Sequence, residues 1–122
     1  MHNYLDDDAF KKRYDFDNRQ KESSRIIMKY KDRIPIIVEI IKCNKTIIGL
    51  DKHKFLVPYD LTLAQFLCVI RKRINLNSEQ SLFIFFNNRL PMSTDIIQDL
   101  YNKYKDEDGF LYAVISLENT FG

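Results

Sequence analysis

Glycine and proline are scarce in this chain of 122 residues, at three each. That leaves no flexible linker, no low-complexity segment and no second domain, and there is no internal repeat. Cysteine is also rare. Cys43 and Cys68 are too few for a disulfide framework, and no CxxC or histidine spacing points to zinc. They read as two reduced thiols that pack in apolar surroundings. The two histidines, His2 and His53, have no nucleophile or metal partner near them in sequence, and three dispersed glycines cannot form a phosphate-binding loop. The chain therefore does not read as an enzyme, and it implies no cofactor and no metal. No run approaches the roughly 18 apolar residues of a membrane span. The stretch from Met1 to Asp8 is acidic and lacks the apolar segment of a signal peptide.

What is present suits a soluble globular protein: 45% hydrophobic and 30% charged residues. The length is sufficient to close a core. Net charge is +2 but unevenly spread. Residues 1–73 carry 16 Lys and Arg against 10 Asp and Glu, and residues 74–122 carry 3 against 7. A basic front suits a face that meets acidic partners, nucleic acid or anionic lipid, or simply a solvated helix face.

Residues 9–31 read as helical. The apolar spacing breaks near Asp15, Phe16 and Asp17, which predicts two helices rather than one. Pro35 ends that stretch by holding Ile34 out of the α region. The run from Ile34 to Ile41 has Glu39 as its only charge and reads as a strand buried on both faces, central in a sheet. Lys42 to Lys45 reads as a turn. A second strand is expected from Ile47 to Val57, interrupted by Gly49 and polar enough for a sheet edge. Thr62 and Gln65 have capping-box spacing. They open a helix whose stripe is Leu63, Phe66, Leu67, Ile70 and Ile74, with Arg71, Lys72 and Arg73 favourable at its end. Leu82 to Phe86 is a third strand ended by an Asn87–Asn88 turn, Asp95 to Tyr104 a short helix, and Phe110 to Leu117 the last strand. Two helices followed by β-β-α-β-α-β define an α+β ubiquitin-like β-grasp, a four-stranded mixed sheet with two additional N-terminal helices. In one compact domain, residues 1–31 form the helical extension, 32–117 the β-grasp core and 118–122 a flexible tail. The acidic runs Asp6–Asp8 and Asp106–Asp108 read as solvated surface.

Several segments carry a resemblance. The run Lys29-Tyr30-Lys31-Asp32-Arg33-Ile34-Pro35-Ile36-Ile37-Val38-Glu39, the run Leu50-Asp51-Lys52-His53-Lys54-Phe55-Leu56-Val57-Pro58, the helix from Phe66 to Ile74, the run Asp108-Gly109-Phe110-Leu111-Tyr112 and the end Phe121-Gly122 stand in order. Over about residues 16–122 they resemble the GABARAP-like autophagy modifiers, a branch of the ubiquitin-like proteins. The chain departs from that pattern at Lys31, where the family has proline, around Asn44, and in a longer acidic N-terminus.

The resemblance implies a modifier joined through Gly122 to the amine of phosphatidylethanolamine. Glycine, with no Cβ, threads the narrow clefts of successive enzymes and leaves its carbonyl open to attack. A chain that stops at Gly122 would be ready without proteolytic priming. The lipid brings two acyl chains, which anchor where one is marginal. Implied partners are E1-like activating and E2-like conjugating enzymes that supply the catalytic cysteines, a deconjugating cysteine protease, a phosphatidylethanolamine membrane, and receptor or enzyme peptides with an acidic-flanked aromatic-x-x-aliphatic motif. No nucleic acid is implied. The implied location is cytoplasmic, then autophagosomal or vesicle membrane after lipidation, or the relict plastid of some parasites.

Carried over by position, the peptide's aromatic residue meets Glu22, Ile26, Pro35, Ile37, Lys54, Leu56 and Phe110. Its aliphatic residue meets Phe55, Val57, Pro58, Leu61, Phe66 and Val69. Arg33, Lys52, Lys54 and Arg73 meet the acidic flank. Ile37, Phe66 and Val69 also fit as plain core residues, and Lys52 and Lys54 as edge lysines that block aggregation. Two rivals stand beside this reading. A non-conjugated ubiquitin-like adaptor would use the same surface without Gly122. A nucleic-acid binder would use Arg71, Lys72 and Arg73, although no aromatic-interleaved motif supports it.

Overall fold

The structure, a computed structural model, describes residues 5, 8–74, 76–77 and 79–119. His2, Asp6, Asp7, Phe121 and Gly122 lie outside the described residues.

The helical N-terminal stretch does divide in two, as α1 (Phe10–Arg13) and α2 (Phe16–Lys29). The break falls at Asp15, whose carboxylate accepts the Asn18 N–H at 2.9 Å and caps α2. Then come β1 (Arg33–Ile40), a 3₁₀ turn (Lys42–Asn44), α3 (Lys45–Ile48), β2 (Lys54–Pro58), α4 (Leu63–Arg71), β3 (Phe83–Phe85), α5 (Ile97–Tyr104) and β4 (Leu111–Ser116). The sheet order is β2-β1-β4-β3. β1 runs parallel to β4 and antiparallel to β2, and β3 runs antiparallel to β4. This is the ubiquitin-like β-grasp.

The main core lies between one face of the sheet and α4 and α5. Ile34, Ile36, Val38 and Ile40 of β1 enter it with Phe55 and Val57, Leu63, Phe66 and Ile70, and Leu111, Ala113 and Ile115. Thr62 and Gln65 form the expected capping box, with bonds of 3.2 and 2.9 Å. Asn87 and Asn88 turn the chain with positive φ of 49° and 64°, a conformation asparagine tolerates.

Three expectations need correction. The second strand begins at Lys54, not Ile47, because Lys42–Ile48 coil into helical turns that end at Gly49 in the left-handed conformation (φ 60°). That coil buries Asn44, whose side-chain Oδ1 accepts the Leu117 N–H at 2.9 Å and the Ser116 hydroxyl at 3.2 Å. The cysteines are not packing residues: both are exposed. Cys68 sits on the side of α4 opposite its buried stripe, and Cys43 sits in the 3₁₀ turn beside the inward Asn44. Nor is the Asp106–Asp108 run simply solvated, since Asp108 is fully buried.

Candidate peptide-docking site

β2 is an edge strand, since the sheet order gives it one neighbour. Its side chains alternate. Phe55 and Val57 face the main core, while Leu56 packs on the opposite face of the sheet. Pro35 and Leu56 are a non-hydrogen-bonded pair of the antiparallel ladder, so the Leu56 carbonyl faces away from β1. There the Arg33 guanidinium donates to it at 3.2 Å.

On the outer face, α2 crosses β1 and encloses a second apolar cluster. Ile26, Ile37 and Phe110 are its buried members, with Leu56, Tyr112 and Phe10 packed against them. Lys54 of β2 forms an ion pair with Glu22 of α2. Burial holds the Lys54 ammonium below its ordinary pKa despite that partner. All seven expected aromatic-pocket residues thus come to one place: Ile26, Ile37 and Phe110 as floor, Pro35 in register with Leu56, and Lys54 and Glu22 at the rim.

The expected aliphatic set divides by depth. Phe55, Val57 and Phe66 are core, with the Phe55 and Phe66 rings edge to face at 5.7 Å. Pro58 and Leu61 are half-buried, and Val69, at 39% exposure, faces solvent rather than core. The cations divide by position. Lys52 lies over the Phe55 ring at 5.1 Å, and Arg73 stands 3.7 Å from Asp51, both toward the start of β2. Arg33 is in register with Pro58 at the other end.

Phe110 is held by a polar hub that the sequence did not disclose. Asp108 accepts the Phe110 N–H at 2.9 Å and the Tyr112 hydroxyl at 2.6 Å, and its carboxylate lies 3.5 Å from the Arg19 Nε of α2. Its backbone carbonyl accepts the Ser23 hydroxyl. Gly109 (φ +93°) fits beside Ser23 because it has no Cβ to collide with that hydroxyl. Burial, and then the Asp108 carboxylate, push the Tyr112 phenol far above its ordinary value and keep it a donor. Next to the hub, burial alone would raise the Asp106 carboxyl. The Lys11 bond, the Asp108 N–H and the charges of Lys11 and Arg19 outweigh it and hold it below 3.8. Arg19 and Asp108 are far apart in sequence, so no local pattern signals their pairing.

A β-grasp with a free edge strand between two apolar sites defines a ubiquitin-like protein. The family model described as "Autophagy protein Atg8 ubiquitin like" matches residues 18–122. Autophagy-related protein 8 of Candida albicans is 51% identical over 113 residues, covering 93% of this chain and 83% of that protein. Autophagy-related protein 8e of Arabidopsis thaliana is 52% identical over 114 residues, covering 93% and 92%. Among solved structures, Trypanosoma brucei ATG8 superposes with a TM-score of 0.83 at 43% identity, covering 91% of this chain and 95% of that one. Plasmodium falciparum Atg8, solved in complex with an Atg3 peptide, gives 0.81 at 34%, covering 90% and 96%. The chain belongs to the Atg8 family of ubiquitin-like autophagy proteins.

Proposed function

We propose that this chain is a modifier joined through Gly122 to phosphatidylethanolamine, and that the β2 edge docks acidic-flanked aromatic-x-x-aliphatic peptides. The observation that carries the docking half is the alternation at β2. A partner strand added to this edge points residues three apart to opposite faces of the sheet. The outer face offers the Ile26, Ile37, Phe110 and Leu56 cluster, and the inner face offers Leu61 and Val69 near Phe55, Val57 and Phe66, with Pro58 at the end of β2. An aromatic and an aliphatic side chain separated by two residues fit those two sites. Lys52 and Arg73 lie where residues preceding the aromatic would run, and Arg33 lies at the opposite end of the strand. Such charges steer and set register more than they add affinity.

The conjugation half rests on family membership and on the reactivity of a terminal glycine. The reading treats residues 1–31 as a helical extension, 32–117 as the β-grasp and 118–122 as the conjugating tail. Among the described residues no helix is long and apolar enough to cross a membrane, and in this reading the conjugated lipid supplies the anchor. The partners are E1-like and E2-like enzymes, a deconjugating protease, and receptor peptides. The Atg3 peptide on the Plasmodium relative makes an E2-like partner the first to test.

The test of docking uses a peptide carrying tryptophan at the aromatic position, since the protein has no tryptophan of its own. Transfer of that indole to the apolar site blue-shifts its emission as protein is added, with saturation in the micromolar range, at roughly −8 kcal/mol. Amide shifts concentrate on β2, α2 and α4. A peptide with alanine at both anchor positions gives neither change. Shifts confined to β3 or α5 would contradict the assignment.

A further inference from the structure

β4 ends at Ser116, six positions before Gly122. Its pairing gives out there: the register with β1 stops at Ile115 and the register with β3 at Ser116. The next two N–H groups are taken by side chains instead of a strand. Asn44 Oδ1 accepts the Leu117 N–H at 2.9 Å and the Ser116 hydroxyl at 3.2 Å, and Ser116 Oγ accepts the Glu118 N–H at 3.1 Å. Beside this clasp the Ile41 N–H donates to the Ile115 carbonyl at 3.1 Å. Asn44 and Ser116 are 7% and 1% exposed, whereas Glu118 and Asn119 are exposed. The clasp thus lies where core gives way to tail, and it sets the direction in which the chain leaves the sheet.

Asn44 reaches this point through the coil before β2. Its N–H donates to the Ile41 carbonyl at 2.9 Å, and Ile48, with no exposed surface, holds α3 in the main core. Lys42 and Cys43 stay exposed. Buried acceptors of this kind hold their donors firmly, because leaving a buried donor unsatisfied is costly. The segment around Asn44 is also where the chain departs from the family's pattern, so family membership does not supply this contact.

We propose that Asn44 is a positioning residue for conjugation. It acts through Leu117 and Glu118, holding the root of the tail in one direction for the activating enzyme. This rests on the modifier reading above and adds a residue to its reaction. In that reaction the Gly122 carboxylate attacks the α-phosphorus of ATP and pyrophosphate leaves. The enzyme's thiolate then attacks the Gly122 carbonyl and AMP leaves. Both attacks need the carboxyl group in one place and one orientation. With the clasp open, Leu117 and Glu118 must be ordered by the enzyme, and fixing one residue's backbone costs about 5–30-fold in rate.

The experiment follows single-turnover thioester formation on the E1-like enzyme with ATP, for the wild type, Asn44→Ala and Asn44→Asp. Asn44→Ala is expected to react about 5–30-fold more slowly. Asn44→Asp keeps an oxygen that accepts both donors, and it restores most of the rate. The tryptophan peptide binds all three proteins alike. In Asn44→Ala the Leu117 and Glu118 amides exchange hydrogen faster, while those of β1 and β2 do not. A wild-type rate in an Asn44→Ala protein whose Leu117 amide exchanges freely overturns the proposal, because the exit direction then has no bearing on activation. Slowing that comes with weaker peptide binding and faster exchange throughout the sheet overturns it too, since Asn44 would then only support the fold. So does an Asn44→Asp protein as slow as Asn44→Ala. If Asn44→Ala fails to fold, Ser116→Ala decides: it removes the Glu118 acceptor and slows the reaction by a smaller factor, and an unchanged rate overturns the proposal. If the wild type forms no thioester while the same enzyme charges an Atg8 relative, the modifier reading itself falls, and the role of Asn44 with it.

Discussion

Asp108→Ala is expected to lower stability by about 3–5 kcal/mol, the cost of leaving a buried cation without its partner. Arg19 is 9% exposed, and its Nε and Nη1 make no hydrogen bond among the described residues, so the Asp108 carboxylate is its compensating charge. The same substitution orphans the Phe110 N–H and the Tyr112 hydroxyl. For a domain of this size that corresponds to a melting point lower by about 10–20 °C. Surface acid-to-alanine changes elsewhere move it by far less. The double variant Arg19→Met with Asp108→Asn is expected to lose less than Asp108→Ala alone, because it removes both buried charges together. Thermal melts of the three proteins decide this. A near-neutral Asp108→Ala would mean that the hub is ornamental and that Phe110 is placed by packing alone.

Leu56→Ala is expected to weaken binding of the aromatic-x-x-aliphatic peptide by about 10–100-fold, or roughly 1.4–2.8 kcal/mol. Leu56 is the β2 side chain on the outer face between the Lys54 rim and the Ile26, Ile37 and Phe110 floor. Truncation removes one wall of the site and leaves main-chain pairing along the edge intact. Leu56 is only half-buried, so the fold survives the change. Peptide titration with a thermal melt alongside separates the two effects. An unchanged affinity with an unchanged melt would place the aromatic residue somewhere other than this cluster.

Much of the frame was legible because it rests on local chemistry. The capping box at Thr62 and Gln65, the helix break near Asp15, the Asn87–Asn88 turn and the two-faced burial of β1 each follow from a few neighbouring residues, and each is present. Lys42–Asn44 turns as expected, but Ile47 and Ile48 were misread because they favour a strand by residue type. Asn44, bonded to the end of β4, overrides that preference. The pocket positions came from resemblance, not from periodicity, and the structure gathers the aromatic set while dividing the aliphatic set by depth. The packing of Phe10 on Phe110 and the Arg19–Asp108 pair escaped notice for a common reason. Their partners lie far along the chain, and neither a helical nor a strand period relates them.

The central claim is that this chain is a lipid-conjugated modifier, and reconstituted lipidation tests it most directly. The chain is combined with E1-like and E2-like enzymes, ATP and phosphatidylethanolamine liposomes, beside a Gly122→Ala control. The products are read by intact mass and by flotation. The account predicts that the wild type gains one phosphatidylethanolamine and floats, while the control does neither. A wild type that stays unmodified while the same enzymes lipidate an Atg8 relative would contradict it, and would leave a peptide-binding ubiquitin-like adaptor in its place.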